Sequence, residues 1–264
     1  MERIPPMRSL PRRAAAEAVG TFALVLVGTG AAMVDAGTRG SLGPVGVSLA
    51  FGGVVAAMAY ALGHVSGAHI NPAVTVALWS IGRFPRGDVA AYVVAQCAGA
   101  TAASLALRAV LGMVGGLGAT LPALGEARSF AVEWLLSFLL MFVIVAVTTD
   151  ERVAPGFAGL AAGLAVGFGV MVGGPLTGPS LNPARSLGPA LAGGPWTGHW
   201  VYWAGPVAGM LAAVRVYDFL RPGGTVAPAA DKPLGVEGPV MPSHAWPPPR
   251  VTEWQAGGTH VHGG

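Results

Sequence analysis

The stretch "GPSLNPARSLGP", residues 178–189, places a single arginine inside a long apolar part of the chain. Arg185 is the only charged residue between positions 153 and 214. Asn182 followed by Pro183 is a helix-start signal, because Asn caps free backbone N–H groups and Pro fits the first helical position. The stretch therefore predicts a short helix that begins within a membrane and carries a guanidinium near its start.

The composition supports a membrane location. The 264 residues are 53% hydrophobic and only 10% charged, whereas soluble domains average about 25% charged residues. A spanning helix needs about 20 mostly apolar residues, and several neutral segments reach or approach that length. These segments are 40–82, 89–107, 153–184 and 186–214. We therefore predict an all-α polytopic membrane protein. Its formal charge of +3 comes largely from scattered arginines, and we expect no nucleic-acid partner.

Six membrane spans are predicted from the apolar runs. They lie at about 14–35, 42–63, 88–110, 129–149, 155–174 and 200–220. Two further apolar stretches, 66–82 and 178–195, are long enough only to enter the membrane halfway. Arginines precede the first run and flank alternate later ends, so the positive-inside rule predicts that both termini are cytoplasmic.

Two terminal segments lie outside the spans. Residues 1–13 are predicted to form a basic cytoplasmic N-terminus. Residues 221–264 contain 8 Pro and 8 Gly, a composition that predicts a disordered cytoplasmic tail. The "HVH" at 260–262 could bind a metal, but an idle tail is the favoured interpretation, and we expect neither a metal nor a cofactor. Cys97 is the only cysteine, which excludes an intrachain disulfide.

The intervening domain, 14–220, divides into two similar halves. The first repeat covers about 14–110 and the second about 129–220. Each opens with a glutamate near the start of a span, Glu17 and Glu133, and continues through a glycine-rich span. Halves of three spans each must insert with opposite orientation. Such inverted repeats often build a site at the membrane midplane from broken helices.

A short Asn-Pro element closes each glycine-rich span. The elements read "SGAHINPAVT" (66–75) and "TGPSLNPARS" (177–186). If the two helices enter from opposite faces, their N-termini meet near the bilayer centre, each with roughly half a positive charge. Asn71 and Asn182 would then donate hydrogen bonds to a passing molecule. Such a lumen favours a small neutral hydrogen-bonding molecule and disfavours a cation.

These paired motifs resemble those of the aquaporins, a branch of the major intrinsic protein (MIP) family, here of bacterial type. The motif residues are Asn71, Pro72, Ala73, Asn182, Pro183 and Ala184, and the second motif continues as "NPARSLGPA". The resemblance covers about residues 10–220. It implies six transmembrane helices plus two re-entrant half-helices, one pore per subunit, homotetramers and passage of water or small neutral solutes across the bilayer.

The resemblance also implies a four-residue selectivity filter on the extracellular side. Its positions fall on Phe51, Val170, Pro179 and Arg185. Strict water channels typically have histidine where this chain has Val170. We therefore expect a filter that is less polar and somewhat wider, as in the more permissive bacterial and plant members.

Other positions favour water. Glycerol-conducting members usually have Asp and a basic residue where this chain has Ser186 and Ala190. They usually have Pro-Leu where it has Tyr202 and Trp203. These positions correlate with water channels but do not explain conduction, so they support the water interpretation only moderately.

Three ionisable residues need a role. Intramembrane carboxylates are functional suspects by default, and the resemblance implies that Glu17 and Glu133 brace the half-helix loops. His64 lies near the first motif, where it could line the pore mouth or simply pack with a hydrogen-bond partner. The sequence leaves both alternatives open.

The sequence thus predicts a passive channel in the inner membrane of a bacterium, and not an enzyme. It would conduct water, with or without small uncharged solutes, and exclude protons and ions. The alternative is a facilitator mainly for glycerol, ammonia or metalloid acids. An energised transporter would need more titratable residues, a membrane enzyme would need a catalytic constellation within the spans, and a structural junction protein would show no permeability.

Overall fold

The computed structural model describes residues 9–150, 153 and 156–221. All regular secondary structure in this part is helical. The helices are α1 (Leu10–Leu24), α2 (Gly30–Gly37), α3 (Gly43–Ser66), α4 (Pro72–Ser80), α5 (Val89–Leu111), α6 (Glu126–Thr149), α7 (Phe157–Thr177), α8 (Pro183–Leu191) and α9 (Val201–Leu220). A π-helical turn, Val25–Thr29, joins α1 to α2 as one continuous rod. The predicted tail, apart from Arg221, lies outside the described residues.

Five of the long helical segments have the length and the apolar character needed to cross a membrane. They are Leu10–Gly37, Gly43–Ser66, Arg86–Leu111, Glu126–Thr149 and Phe157–Thr177. The sixth predicted span corresponds to α9, whose mean hydropathy is lowered by its aromatic and glycine residues and by Arg215 and Asp218. It nevertheless packs along α6 and against α4 as a member of the bundle. At nine residues each, α4 and α8 are too short to cross a bilayer.

The helices pack as two interlocked repeats. In the first repeat α1 packs on α5, and in the second α6 packs on α9, while α3 and α7 pack together between the repeats. This central crossing is close: a Cβ added to Gly52 would lie 2.6 Å from the Gly163 carbonyl oxygen. The half-helices are exchanged, since α4 packs on α9 and α8 packs on α5. Each short helix is therefore held by a long helix of the other repeat.

Polarity is distributed as expected for a protein embedded in lipid. Large apolar side chains on the long helices are exposed, including Val110 at 81% and Phe219 at 86%. Two carboxylates, Glu17 and Glu133, are fully buried inside the bundle. A soluble protein rarely exposes so much continuous apolar surface, whereas intramembrane carboxylates typically face a bundle interior. The chain is an integral membrane protein.

Candidate functional site

Both Asn-Pro elements begin a helix in the predicted way. Asn71 is extended, and its Oδ1 accepts the Ala73 N–H at 2.9 Å. Asn182 is also extended, and its Oδ1 accepts the N–H groups of Ala184 at 3.0 Å and Arg185 at 3.3 Å. Each side chain therefore satisfies backbone donors that the first turn of a helix leaves free.

The two asparagines also bind each other's repeat. Asn71 Nδ2 donates to the Leu181 carbonyl at 2.8 Å, and Asn182 Nδ2 donates to the Ile70 carbonyl at 2.8 Å. A primary amide has two N–H donors, so each asparagine keeps a second one. These reciprocal bonds fix the two helix starts next to each other in the centre of the bundle.

Backbone strain accompanies these bonds. Ile70 has φ 42° and Leu181 has φ 53°, although neither is glycine. Positive φ is unusual for a bulky side chain, and rarer still for a β-branched one such as Ile. Such strain costs about 1–3 kcal/mol per residue and clusters at functional sites. The turn at each position presents the carbonyl to the asparagine of the opposite repeat.

Glu17 anchors the chain that leads into α4. Its Oε1 accepts the His69 N–H at 2.9 Å and the Ser66 hydroxyl at 2.7 Å. Its Oε2 accepts the Ile70 N–H at 2.6 Å and the Gln96 side-chain amide at 2.8 Å. The carboxylate thus satisfies two backbone donors that have no helical partner at this depth.

Glu133 makes the equivalent contacts in the second repeat. Its Oε1 accepts the Thr177 hydroxyl at 2.8 Å and the Ser180 N–H at 2.9 Å, and its Oε2 accepts the Leu181 N–H at 2.9 Å. Non-helical backbone at membrane depth is tolerated when it is buried in protein and its polar groups are satisfied. The two glutamates supply that satisfaction.

One tyrosine completes each anchor. The Tyr92 hydroxyl donates to the Ser66 carbonyl at 2.8 Å, and the Tyr202 hydroxyl donates to the Thr177 carbonyl at 2.8 Å. Both carbonyls lie at the end of a long helix that precedes a half-helix. Sequence reasoning treated Tyr202 only as a correlate of water channels, and its equivalence to Tyr92 in the repeat was the available signal.

A cavity runs past the two asparagines between the long helices. Its polar lining comes from His69, Asn71, Ser180, Asn182 and Arg185. Most other lining side chains are aliphatic: Leu24, Val55, Ala59, Val74, Leu140, Ile144, Ala162 and Val166. Among the described residues no carboxylate lines it, since both buried glutamates point into the loops behind the wall. A molecule inside therefore meets a few donors and acceptors on an otherwise apolar surface.

Three of the four predicted filter residues lie together in this lining. Phe51, Val170 and Arg185 all contribute to the cavity wall. The Arg185 guanidinium carbon lies 5.2 Å from the centre of the Phe51 ring, within range of a cation–π contact. Pro179 is buried but is absent from the cavity lining, and its ring instead packs toward Gly173 of α7.

Arg185 is oriented by a loop that the sequence did not reveal. Its Nη1 donates to the Gly118 carbonyl at 2.8 Å, while its Nε has no hydrogen-bond partner among the described residues. Gly118 ends a left-handed turn in which Gly115, Gly116 and Leu117 all have positive φ. The glycine-rich "GGLG" was the only available signal, because a backbone carbonyl has no side-chain signature.

The histidine in the cavity wall is not the one singled out from the sequence. His64 is exposed on α3 and lies outside the lining. His69 is buried in the lining, with its Nδ1 3.1 Å from the Thr75 hydroxyl and its ring packed against Phe84 and Tyr92. Position along the chain does not distinguish the two, because only the turn into α4 brings residue 69 to the cavity.

Two half-helices that meet at paired asparagines, inside a bundle of membrane-spanning helices, define a channel-forming membrane protein. The comparisons with known proteins agree. The family described as Major intrinsic protein matches residues 7–217. The chain belongs to the major intrinsic protein family.

Individual relatives come from plants and archaea. Aquaporin NIP1-3 of Oryza sativa subsp. japonica is 44% identical over 225 residues, covering 83% of this chain and 74% of that protein. Aquaporin AqpM of Methanothermobacter thermautotrophicus is 42% identical over 243 residues, covering 81% of this chain and 99% of the other.

A solved structure matches the fold as well. The X-ray structure of the aquaglyceroporin from Plasmodium falciparum matches with a TM-score of 0.68 at 27% identity, covering 80% of this chain and 95% of that one. The predicted aquaporin-like fold is confirmed. A member of this family is a passive membrane channel for water and small solutes.

Proposed function

We propose that this chain conducts water as its main permeant. The observation that carries the proposal is the placement of Asn71, Asn182 and Arg185 in one cavity whose remaining wall is mostly aliphatic. Water offers both donors and acceptors, so it can exchange bonds between these groups in turn. The aliphatic wall offers it no competing bonds, so a molecule bound at one group moves on easily to the next.

The same groups support exclusion of protons and cations. The N-termini of α4 and α8 each contribute a partial positive charge at the centre, and Arg185 adds a full charge at the filter. Positive ends of half-helices and an arginine are recognised barriers to protons and cations in pores of the aquaporin type. We assign Asn71 and Asn182 to orienting the permeating molecule, Glu17 and Glu133 to bracing the half-helices, and Phe51, Val170, Pro179 and Arg185 to the filter region.

Stopped-flow light scattering on proteoliposomes tests the proposal. Vesicles with the protein should shrink in a hyperosmotic solution much faster than empty vesicles. The variant Val170→Trp tests the route through the cavity. It places a large ring in the filter and should return water permeability toward that of empty vesicles. Folded protein, verified by gel filtration, that gives no excess water permeability would reject water conduction.

A second candidate is a facilitator mainly for small neutral solutes. It is favoured by the aliphatic Val170 in the filter and by the absence of Pro179 from the lining, which together leave Arg185 as the main polar group there. Glycerol, ammonia and undissociated metalloid acids fit this chemistry. Water and solute fluxes measured in the same vesicles separate the candidates: solute flux at the background level rejects the facilitator.

Energised transport and enzymatic catalysis are not part of the proposal. Glu17 and Glu133, the carboxylates nearest the cavity, are already bonded to the half-helix loops and do not line it. Transport should therefore follow the concentration gradient and need no cofactor. Uphill uptake driven by a proton gradient would contradict this.

We further propose the assembly and orientation of the chain. Exposed apolar faces on the long helices are available both to lipid and to neighbouring copies, and family resemblance supports a homotetramer with one pore per subunit. Residues 14–220 would form the channel domain in the bacterial inner membrane, with 1–13 and 221–264 in the cytoplasm. Gel filtration with light scattering tests the tetramer, and a monomer mass would reject it.

A further inference from the structure

Gly28 lies against one edge of the Phe51 ring. A Cβ atom added to Gly28 would lie 2.3 Å from Phe51 Cδ1, 2.4 Å from Cε1 and 2.7 Å from Cγ. Contacts below 3.0 Å essentially never occur for a real Cβ. The ring therefore occupies the space that a side chain at position 28 would need.

The backbone at position 28 does not itself call for glycine. Gly28 lies in the π-helical turn Val25–Thr29, and it is not among the residues with positive φ. Alanine would also be a better helix former by about 1 kcal/mol. Single π-turns inside α-helices occur frequently at functional sites. The contact with the Phe51 ring is thus the feature that excludes a larger residue.

The same ring lines the cavity that contains the two asparagines. Phe51 lines the cavity, and the Arg185 guanidinium lies over its ring. A Cβ atom at position 28 would require the ring to move away from the rod α1–α2. Because the ring lines the cavity, the cavity is the open space into which it can move. A methyl group at position 28 would therefore narrow the filter without touching the cavity itself.

We propose that Gly28 is a positioning residue that sets the filter width. By carrying no side chain, it lets the Phe51 ring lie back against the first spanning rod and keeps the filter open to molecules larger than water. This inference rests on the proposed function, because it assumes that molecules pass between Phe51 and Arg185. It assigns the width of the filter to a residue outside the four filter positions.

The test compares Gly28→Ala with Gly53→Ala in proteoliposomes. Gly53 is a helical glycine two residues after Phe51, and a Cβ added there meets nothing within 4 Å. We expect Gly28→Ala to lower glycerol permeability by about tenfold, the effect of a misfit of one methylene. Formamide permeability should fall less and water permeability least, whereas Gly53→Ala should keep the wild-type order.

The double variant Gly28→Ala/Phe51→Ala identifies the ring as the cause. Once the ring is absent, alanine at position 28 should make no further difference, so the double variant should match Phe51→Ala. A selectivity change that persists without the ring would overturn the proposal, as would a folded Gly28→Ala protein with the wild-type permeability order. If Gly28→Ala does not fold, the double variant Gly28→Ala/Phe51→Ala decides, because the clashing ring is absent from it. A double variant that also fails to fold would overturn the assignment of Gly28 as a positioning residue for Phe51.

Failure of the proposed function would look different. In that case the wild-type protein itself would show water, formamide and glycerol permeabilities equal to those of empty vesicles. If the wild type conducts water but no glycerol, we expect Gly28→Ala to lower the permeability to formamide and to water. Unchanged permeability to both molecules would overturn the inference.

Discussion

Arg185 is held by one carbonyl and one aromatic ring rather than by a carboxylate. A buried charge without a partner costs several kcal/mol, but the Gly118 carbonyl accepts one of its N–H groups and its guanidinium carbon lies over the Phe51 ring. Its Nε has no partner among the described residues. This arrangement keeps a guanidinium in the cavity wall without a carboxylate partner.

Replacing this residue should relax the filter. Arg185→Val removes the charge and most of the side-chain length, so we expect a measurable proton or ammonium-derivative leak and higher glycerol permeability. Liposomes loaded with a pH-sensitive dye measure the leak. An unchanged leak together with an unchanged solute profile would show that Arg185 is not at the constriction.

Individual residues differed in how far the sequence could place them. Asn71 and Asn182 were accessible because capping and the Asn-Pro pair are local signals. Gly118 was not accessible from the sequence, because it acts through its backbone carbonyl, which every residue has. The positive φ of Ile70 and Leu181 was equally hidden, because their side chains argue against it and only contacts with distant residues compensate for it.

The half-helices depend on elements of the long helices for their position. Each is preceded by a strained non-helical segment whose backbone N–H groups donate to a glutamate of α1 or α6. Contacts with the bundle thus determine the position of the first turn of α4 and α8. The local sequence determines only that a helix starts at these residues. This explains why motif spacing predicted the two short helices, while their exchange onto α9 and α5 required the packed structure.

Substitution of a bracing glutamate should destabilise the fold. Glu133→Gln replaces one acceptor oxygen by an NH2 group, which then faces a donor at Ser180 or Leu181. Loss of one hydrogen bond to a charged group costs about 1.5–3 kcal/mol, so the free energy of unfolding should fall by that amount. Thermal unfolding in detergent measures it.

Glu126→Gln is the matched control on the same helix. Glu126 accepts a hydrogen bond from Trp200 Nε1 at 2.7 Å at an exposed site. An amide can still accept there, and surface polar pairs contribute little to stability. Equal destabilisation by the two substitutions would contradict the bracing role of Glu133.

The stability contributed by the loop before α9 should decrease at acidic pH. The Trp203 indole N–H donates to His199 Nε2 at 3.3 Å, and burial lowers the pKa of His199. The folded protein thus favours the neutral ring, so the unfolded chain binds more protons once the pH falls below about 6.5. Stability contributed by this site is present above that pH and decreases below it.

His199→Asn should remove part of this pH dependence. Thermal midpoints of the wild type and the variant, measured between pH 7.5 and pH 5, report the difference, and other titrating groups cancel in the comparison. We expect the wild type to lose more stability than the variant toward pH 5. Parallel curves would show that His199 does not contribute.

The described residues contain six long helical segments, five of which have the length and apolar character of a membrane span. Six crossings would place both termini on one side, as the proposed orientation requires. Hydropathy alone predicted this arrangement because lipid imposes a length of about 20 apolar residues on each span. It was least informative for α9, where Arg215 and Asp218 lower the mean hydropathy, and for the segments 66–82 and 178–195, where motif chemistry was needed. Hydropathy also does not report which helices touch.

Cysteine labelling tests the proposed orientation. In a Cys97→Ser background, Arg39→Cys and Arg86→Cys introduce single thiols at exposed positions in loops at opposite ends of the bundle. A membrane-impermeant maleimide should label Arg39→Cys in intact cells, and Arg86→Cys only after lysis. The reverse result would contradict cytoplasmic termini.

The reciprocal bonds between Asn71 and Leu181 and between Asn182 and Ile70 have a consequence for how such a protein is made. Neither repeat can complete the central site by itself, because each asparagine needs a carbonyl from a partner inserted upside down. Two separate polypeptides would have to be synthesised in equal amounts and threaded into the bilayer in opposite senses. One continuous gene guarantees both conditions in every molecule, since the three crossings of the first repeat make the second repeat start from the opposite side.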